Sequence, residues 1–182
     1  MIEKSLKGIN LVIGVLLVIG LTVIVTSQKF VNYKIRHDYP EYASAVEIDK
    51  RLKCLAMNIY KEAAHEPFEG KVAIAQVTIN RVESGKFPDD VCAVVHQKNK
   101  FMEKVVCQFS WYCDSGYRNA PMNKEQYDES FEVAKKVLLE GFRLEVLHDA
   151  LYYHADYVNP NWNLKRITKI GSHIFYEGKK NV

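Results

Sequence analysis

The run Cys54-Leu-Ala-Met-Asn-Ile-Tyr-Lys-Glu62-Ala-Ala-His-Glu66-Pro67 constrains this chain most, because it forces an amphipathic helix that carries a carboxylate to its own end. Leu52, Leu55, Ala56, Ile59, Tyr60 and Ala63 recur at three- and four-residue spacing, which makes one apolar stripe that must face a core. The spacing predicts a helix over 48–65, with Pro67 stopping it nearby. At about 100° per residue, Glu62 falls on the edge of the stripe, half-withdrawn from water. Desolvation disfavours a charged carboxyl and raises its pKa. A Glu that keeps its proton near neutral pH is what a general acid needs to protonate a leaving-group oxygen. A Glu near a helix end is more commonly a solvated surface residue, so position alone proposes this chemistry without assigning it.

A second helix is expected over 70–84, apolar nearly all round through Val72, Ala73, Ile74, Ala75, Val77, Ile79 and Val82, and therefore running through the core. Its polar exceptions, Gln76, Asn80 and Arg81, need partners there. They fasten adjacent loops or, for Gln76 and Asn80 as candidates, reach substrate. Residues 85–122 read as loop-rich, broken by Gly85, Pro88, Gly116 and Pro121. Within them Trp111 beside Gln108 and Ser110 suits one wall of a sugar groove, since aromatic faces pack on pyranose rings while polar neighbours bond hydroxyls. Asn123, with Gln126 three residues on, starts a further helix in capping-box fashion, with Tyr127, Phe131, Ala134 and Leu138 as its stripe and Gly141 at its end. The tail turns strand-like at Leu151-Tyr-Tyr-His154, Ile167–Ile170 and His173–Tyr176, and Gly171-Ser172 between the last two predicts a tight hairpin. The class is α+β, mainly helical with a small antiparallel sheet.

Residues 9–26 are almost wholly apolar, with Lys4 and Lys7 before them and Lys29, Lys34 and Arg36 after. Eighteen helical residues span roughly 27 Å, just short of a hydrocarbon core of about 30 Å. Val25-Thr26-Ser27 is a poor cleavage site for a signal peptide, so the expectation is an uncleaved transmembrane signal-anchor. Residues 1–8 would be a cytoplasmic tip, 27–47 a tether, 48–178 a catalytic domain outside the cytoplasm, in the periplasm or cell wall, and 179–182 a tail. Gly8, Gly14 and Gly20 thin the span, which leaves open an anchor that later slips from the bilayer and releases the domain. Four cysteines, Cys54, Cys92, Cys107 and Cys113, form an even set that in an oxidising compartment implies two disulfides, with three pairings possible. A net charge of +3 gives no electrostatic case for nucleic acid.

Several segments together resemble a known family. They are Leu55–Ala63, Gly70–Val82 with Asn80-Arg81, Phe87-Pro88, Val91–Gln97, Cys107–Asp114, Leu151–Trp162 and Gly171–Tyr176. In order and approximate spacing they are similar to the cell-wall hydrolases of the spore-cortex-lytic SleB and CwlJ type, over roughly residues 51–177. The resemblance implies a lysozyme-like catalytic domain acting on peptidoglycan glycan strands, with Glu62 as catalytic acid and no cofactor. The family commonly reads Glu-Ala-Arg-Gly-Glu where this chain has Glu62-Ala63-Ala64-His65-Glu66, so the Arg is missing and His65 replaces a Gly.

Glycosidases normally use two carboxylates, and here only Glu62 stands out. Glu66 beside Pro67 reads as a capping or solvent-exposed residue. A single acid fits lytic transglycosylation between N-acetylmuramic acid and N-acetylglucosamine, with a 1,6-anhydro product; a hydrolytic muramidase is the neighbouring reading. Tyr152, Tyr153, His154 and Asp156 are the remaining substrate-site candidates, a Tyr hydroxyl steadying charge at C1 and His154 with Asp156 orienting sugar or Tyr. One rival is a zinc amidase using some of His65, His96, His148, His154 and His173, although no His-Glu-x-x-His is present. Another is a catalytically inactive peptidoglycan-binding protein, and a phage endolysin released from its signal-anchor is a variant of the enzyme reading.

Overall fold

The computed structural model of the chain describes residues 14, 17–29 and 40–178. It divides into two units, Met1–Glu47 and Ile48–Val182. In the first unit residues 17–29 are helical, and Leu17, Val18, Ile19, Leu21, Val23, Ile24 and Val25 are all exposed. Among the described residues no helix is long and apolar enough to cross a membrane. The tip 1–8, part of the expected span 9–26, residues 30–39 of the tether and the tail 179–182 lie outside the described residues.

Helix α1 spans Pro40–Ala63 and α2 Phe68–Glu83. After them come α3 (Val91–Val95), strands β1 (Lys98–Phe101) and β2 (Lys104–Cys107), α4 (Ser110–Cys113), α5 (Ser115–Arg118) and α6 (Lys124–Leu138). A 3-10 turn at Glu145–Leu147 leads into β3 (Ala150–Ala155), β4 (Arg166–Ile170) and β5 (His173–Glu177). Helix α1 starts at Pro40 rather than near 48, because proline suits a first turn and Glu41, Ala43, Ala45 and Glu47 are good helix formers.

Helix α2 is the pillar of the domain, buried from Gly70 to Arg81. On one side its Val72, Ala75 and Ile79 meet Leu52, Leu55, Ala56 and Ile59 of α1, together with the apolar faces of α3 and α6. Its other side sets Ala73, Ile74 and Val77 against Leu147 of the 3-10 turn and Ala150 and Phe175 of the sheet. That sheet is antiparallel, in the order β3-β5-β4, with β4 and β5 joined at the Gly171-Ser172 turn. Gly171 takes φ +57°, the left-handed conformation that a non-glycine residue adopts only with strain.

Two expectations need correction. Residues 85–122 are more ordered than their composition indicates, with β1 and β2 pairing Lys98 to Cys107 and Phe101 to Lys104. Nothing in the spacing marks that turn, because its left-handed residue is Met102. Asn123 does cap α6 by accepting from Gln126 N–H at 3.1 Å, but the reciprocal half of a capping box is absent. The Asn123 N–H donates instead to Tyr60 Oη, and the Gln126 side chain reaches His65 Nδ1 at 3.1 Å.

Of the three possible pairings the structure has Cys54–Cys92 and Cys107–Cys113. The first ties α1 to α3 across 38 residues, and the second closes a loop of sequence separation 6. Chain-entropy arguments make the first the larger contribution to stability, about 4 kcal/mol against roughly 2. Urea unfolding should therefore show a larger loss for the Cys54→Ala/Cys92→Ala pair than for Cys107→Ala/Cys113→Ala. Equal losses would contradict that ranking.

Candidate active site

Glu62 sits in the last turn of α1, half-buried, at the point where the apolar stripe meets solvent. Tyr153 of β3 donates its hydroxyl to Glu62 Oε2 at 3.0 Å. The ring of Tyr153 is wedged between His173 and Phe175, with centroids 5.3 and 5.8 Å away, so the phenol is held from behind by the sheet. Behind it lies Arg81 of α2, only 3% exposed. Its Nε donates to Leu151 O at 2.9 Å, and its guanidinium packs 5.1, 5.2 and 5.9 Å from the ring centroids of Phe87, Phe109 and Tyr153. The amide oxygen of Gln108, when turned toward Arg81, accepts from Nη1 and Nη2 at 3.3 and 3.2 Å.

Burial pushes the Glu62 carboxyl above the ordinary carboxylate range, while the Tyr153 hydrogen bond and the Arg81 charge pull it partly back. Burial also drives the Tyr153 phenol well above its usual value, with the neighbouring Glu62 adding to the effect, so it stays a neutral donor.

A cleft of about 960 Å³ opens in front of this group. Among its lining residues Glu62 is the sole carboxylate; Gln108, Ser110 and Tyr117 line it as well, as do Tyr152, His154 and Trp162. A second cavity of about 310 Å³ adjoins it, and the two share Lys61, Glu62 and Tyr117. The carboxyl therefore stands between two open spaces. Trp162 is 43% exposed and stands edge-on to Tyr152, His154 and Tyr176 at 65°, 80° and 80°. His154 stacks on Tyr176 at 27° and meets its hydroxyl through Nε2 at 2.9 Å.

The fold brings Glu62, Gln108, Ser110, Tyr152, Tyr153 and His154 to one cleft. It does not bring Gln76, Asn80, Trp111 or Asp156 there. Gln76 is spent on the Leu144 backbone, donating to its oxygen at 3.1 Å and accepting from its N–H at 2.7 Å. Asn80 donates to Leu147 O and Ala150 O. Trp111 is a core residue, 3% exposed, whose indole N–H donates to Asn58 Oδ1. Asp156 pairs with Lys169 at 2.7 Å on the outer surface. Glu66 is likewise not a free surface group: it accepts from the Ser172 N–H at 3.1 Å and from the Ser172 hydroxyl, clasping the β4–β5 turn. His65 is exposed, meets Gln126 through Nδ1 at 3.1 Å and lines the smaller cavity together with Glu62.

Trp162, Tyr117 and Lys61 are cleft residues that the sequence did not single out. A lone Trp in the polar stretch Asn159–Asn163 was the available signal for Trp162. Lys61 and Tyr117 carry none, because they meet only in the fold, with Lys61 Nζ donating to Tyr117 O and the Tyr117 hydroxyl donating to Lys61 O. Among the described residues no group of three or more His, Cys, Asp or Glu is arranged to hold a metal ion.

A half-buried carboxyl held by a tyrosine faces this cleft, and the chain belongs to the cell wall hydrolase family, whose model matches residues 65–176. That match starts just beyond Glu62. The chain is 31% identical over 134 residues to the spore cortex-lytic enzyme of Bacillus subtilis strain 168, covering 69% of this chain and 37% of the relative. It is 30% identical over 132 residues to that of Bacillus cereus, covering 68% and 43%. The chain thus spans about two fifths of the length of these curated relatives. The fold is similar to the catalytic domain of Bacillus cereus SleB, with a TM-score of 0.52 and 26% identity over 71% of this chain and 91% of that one. The catalytic domain of the germination-specific lytic transglycosylase SleB from Bacillus anthracis gives 0.50 and 27%, over 70% and 93%.

Because the folded-state pKa of Glu62 lies above its unfolded value, its contribution to stability is complete while it is protonated and is lost as pH rises through the folded pKa. Glu62→Gln, which cannot ionise, should therefore melt above the wild type at pH 7–8, and the gap should close on acidification. Calorimetry across pH checks this; a gap that widens in acid would contradict a sheltered Glu62.

Proposed function

We propose that this domain cleaves the bond between N-acetylmuramic acid and N-acetylglucosamine in peptidoglycan, as a lytic transglycosylase with Glu62 as its acid. The observation that carries the reading is the solitary carboxyl of the cleft, half-buried and held by Tyr153. Hydrolytic glycosidases place a second carboxylate across the bond to direct water or attack the sugar. No lining residue of the larger cleft supplies one. An intramolecular nucleophile removes that need.

In the first half of the reaction Glu62 gives its proton to the bridging oxygen as the bond to muramic acid C1 breaks. In the second, the Glu62 carboxylate takes the proton of that sugar's C6 hydroxyl as O6 closes on C1. The proton returns to Glu62, the product end is a 1,6-anhydro sugar, and no water is consumed. Tyr153, a donor throughout, keeps the carboxyl aimed and steadies its anionic phase. Trp162 offers the cleft an aromatic surface against which a pyranose ring packs, the role that the sequence alone gave to Trp111.

We also infer that the domain acts outside the cytoplasm, carried there by the apolar segment 9–26. The two disulfides support an oxidising compartment. Alkaline carbonate extraction of cells expressing the full chain should leave it in the membrane pellet; full release into the supernatant would sink the anchor.

Glu62→Gln should cut muropeptide release from purified sacculi by roughly 10²- to 10⁴-fold, the usual worth of a general acid. Mass spectrometry of wild-type digests should find glycan ends one water lighter than reducing ends. Reducing ends alone would establish a muramidase instead. Trp162→Ala should raise KM more than it lowers kcat.

A further inference from the structure

Arg81 presents a physical problem that the proposed acid chemistry leaves unused. A guanidinium stays charged at any pH a folded protein meets, and a buried charge is ordinarily matched by an opposite one. Arg81 is 3% exposed, yet among the described residues no carboxylate forms an ion pair with it. Its hydrogen bonds end on neutral acceptors, Leu151 O and the Gln108 amide, and the rest of its surface meets the rings of Phe87, Phe109 and Tyr153. The positive charge is therefore caged without being cancelled. Its field passes through the Tyr153 ring, whose hydroxyl rests on Glu62.

We propose that Arg81 is a positioning residue that acts through Tyr153 to stabilise the Glu62 carboxylate during the interval between giving up its proton and recovering it. This rests on the reading of Glu62 as the acid. A direct Arg–Glu pair would hold the carboxyl ionised and useless as a donor. A cation set one aromatic ring away leaves burial in command while Glu62 is protonated, then offsets part of the cost once the anion forms. The opposing influences of burial and of the Arg81 charge on Glu62 have the signs this division requires.

Other groups around Glu62 do not supply the same field. Lys61, its neighbour on α1, turns its ammonium onto Tyr117 O at 2.6 Å. Burial raises the pKa of the phenols of Tyr117 of α5 and Tyr153 of β3, which keeps them neutral, and His154 is tied to Tyr176. His173 of β5 lies 3.9 Å from Glu66, and its pKa is held down by burial.

The test uses the intact chain and two readouts, the pH profile of kcat/KM on purified peptidoglycan and a carbon-13 NMR titration of the Glu62 side chain. Arg81→Met should lower kcat roughly 10- to 100-fold with a smaller change in KM. It should also move the alkaline limb and the Glu62 titration together to higher pH. Arg81→Lys, which keeps the charge, should hold both near the wild-type position. Should the Met variant fail to fold, Gln108→Glu makes the same prediction with Arg81 in place, since a carboxylate at 108 cancels the caged charge. Lost activity with an unmoved Glu62 titration makes Arg81 merely structural and overturns the inference, leaving the acid assignment intact. A wild-type limb that does not follow the Glu62 titration removes the acid assignment and the inference with it.

Discussion

A helix surrounded by protein on every side must satisfy its own polar side chains from within the fold, and that constraint on α2 organises the rest of the domain. Gln76 fixes the chain at Leu144, Asn80 fixes it again at Leu147 and Ala150, and Arg81 takes hold of Leu151. Together these bonds lay the approach to β3 along the pillar. Leaving a buried polar group unpaired costs about 1–3 kcal/mol, so the path of that segment is set more by these groups than by its own propensity. Tyr153 reaches Glu62 because residues three helical turns deep in the core dictate where β3 begins.

The site is assembled from opposite sides of this pillar. Helix α1 brings the carboxyl on a face whose apolar stripe is already committed to the core, and β3 brings the phenol on a strand whose inward side packs on Phe175. Neither element has freedom to adjust, which is how a carboxyl is kept aimed without an ion pair. The Glu66 clasp on the β4–β5 turn adds a second tie between the end of α1 and the sheet. An ideal Cβ at Gly171 would lie 1.7 Å from Glu66 Oε2, so the turn admits no larger residue while that tie is made.

Periodic features were legible in the sequence and long-range partnerships were not. The stripe of α1, the all-apolar α2, the Asn123 cap and the Gly171-Ser172 turn each declare themselves within a few residues, because they rest on local geometry. Glu62 could be singled out for the same reason, as an acid at the edge of a stripe. Trp111 and Trp162 each have a polar residue directly before them, Ser110 and Asn161, and only the structure separates them. Trp111 finds Asn58, 53 residues earlier, to satisfy its indole and sinks into the core; Trp162 is left half in solvent. Gln76 and Asn80 have partners 67 to 70 residues on. No spacing rule anticipates such meetings, and a buried polar residue announces only that it needs a partner. The β1–β2 hairpin escaped notice because Met102 takes a conformation usually marked by glycine.

The hydroxyl that grips Glu62 lies 91 residues further along the chain, and its strand is completed by β5, which threads between β3 and β4 near the end of the domain. Contacts of such separation form late, after the entropy of closing a long loop has been met. Without β3 in place, Glu62 lacks the hydroxyl that holds it. The Tyr153–Glu62 contact thus exists only once β3 is held in place by β5, so the environment of position 62 depends on the completeness of the whole sheet.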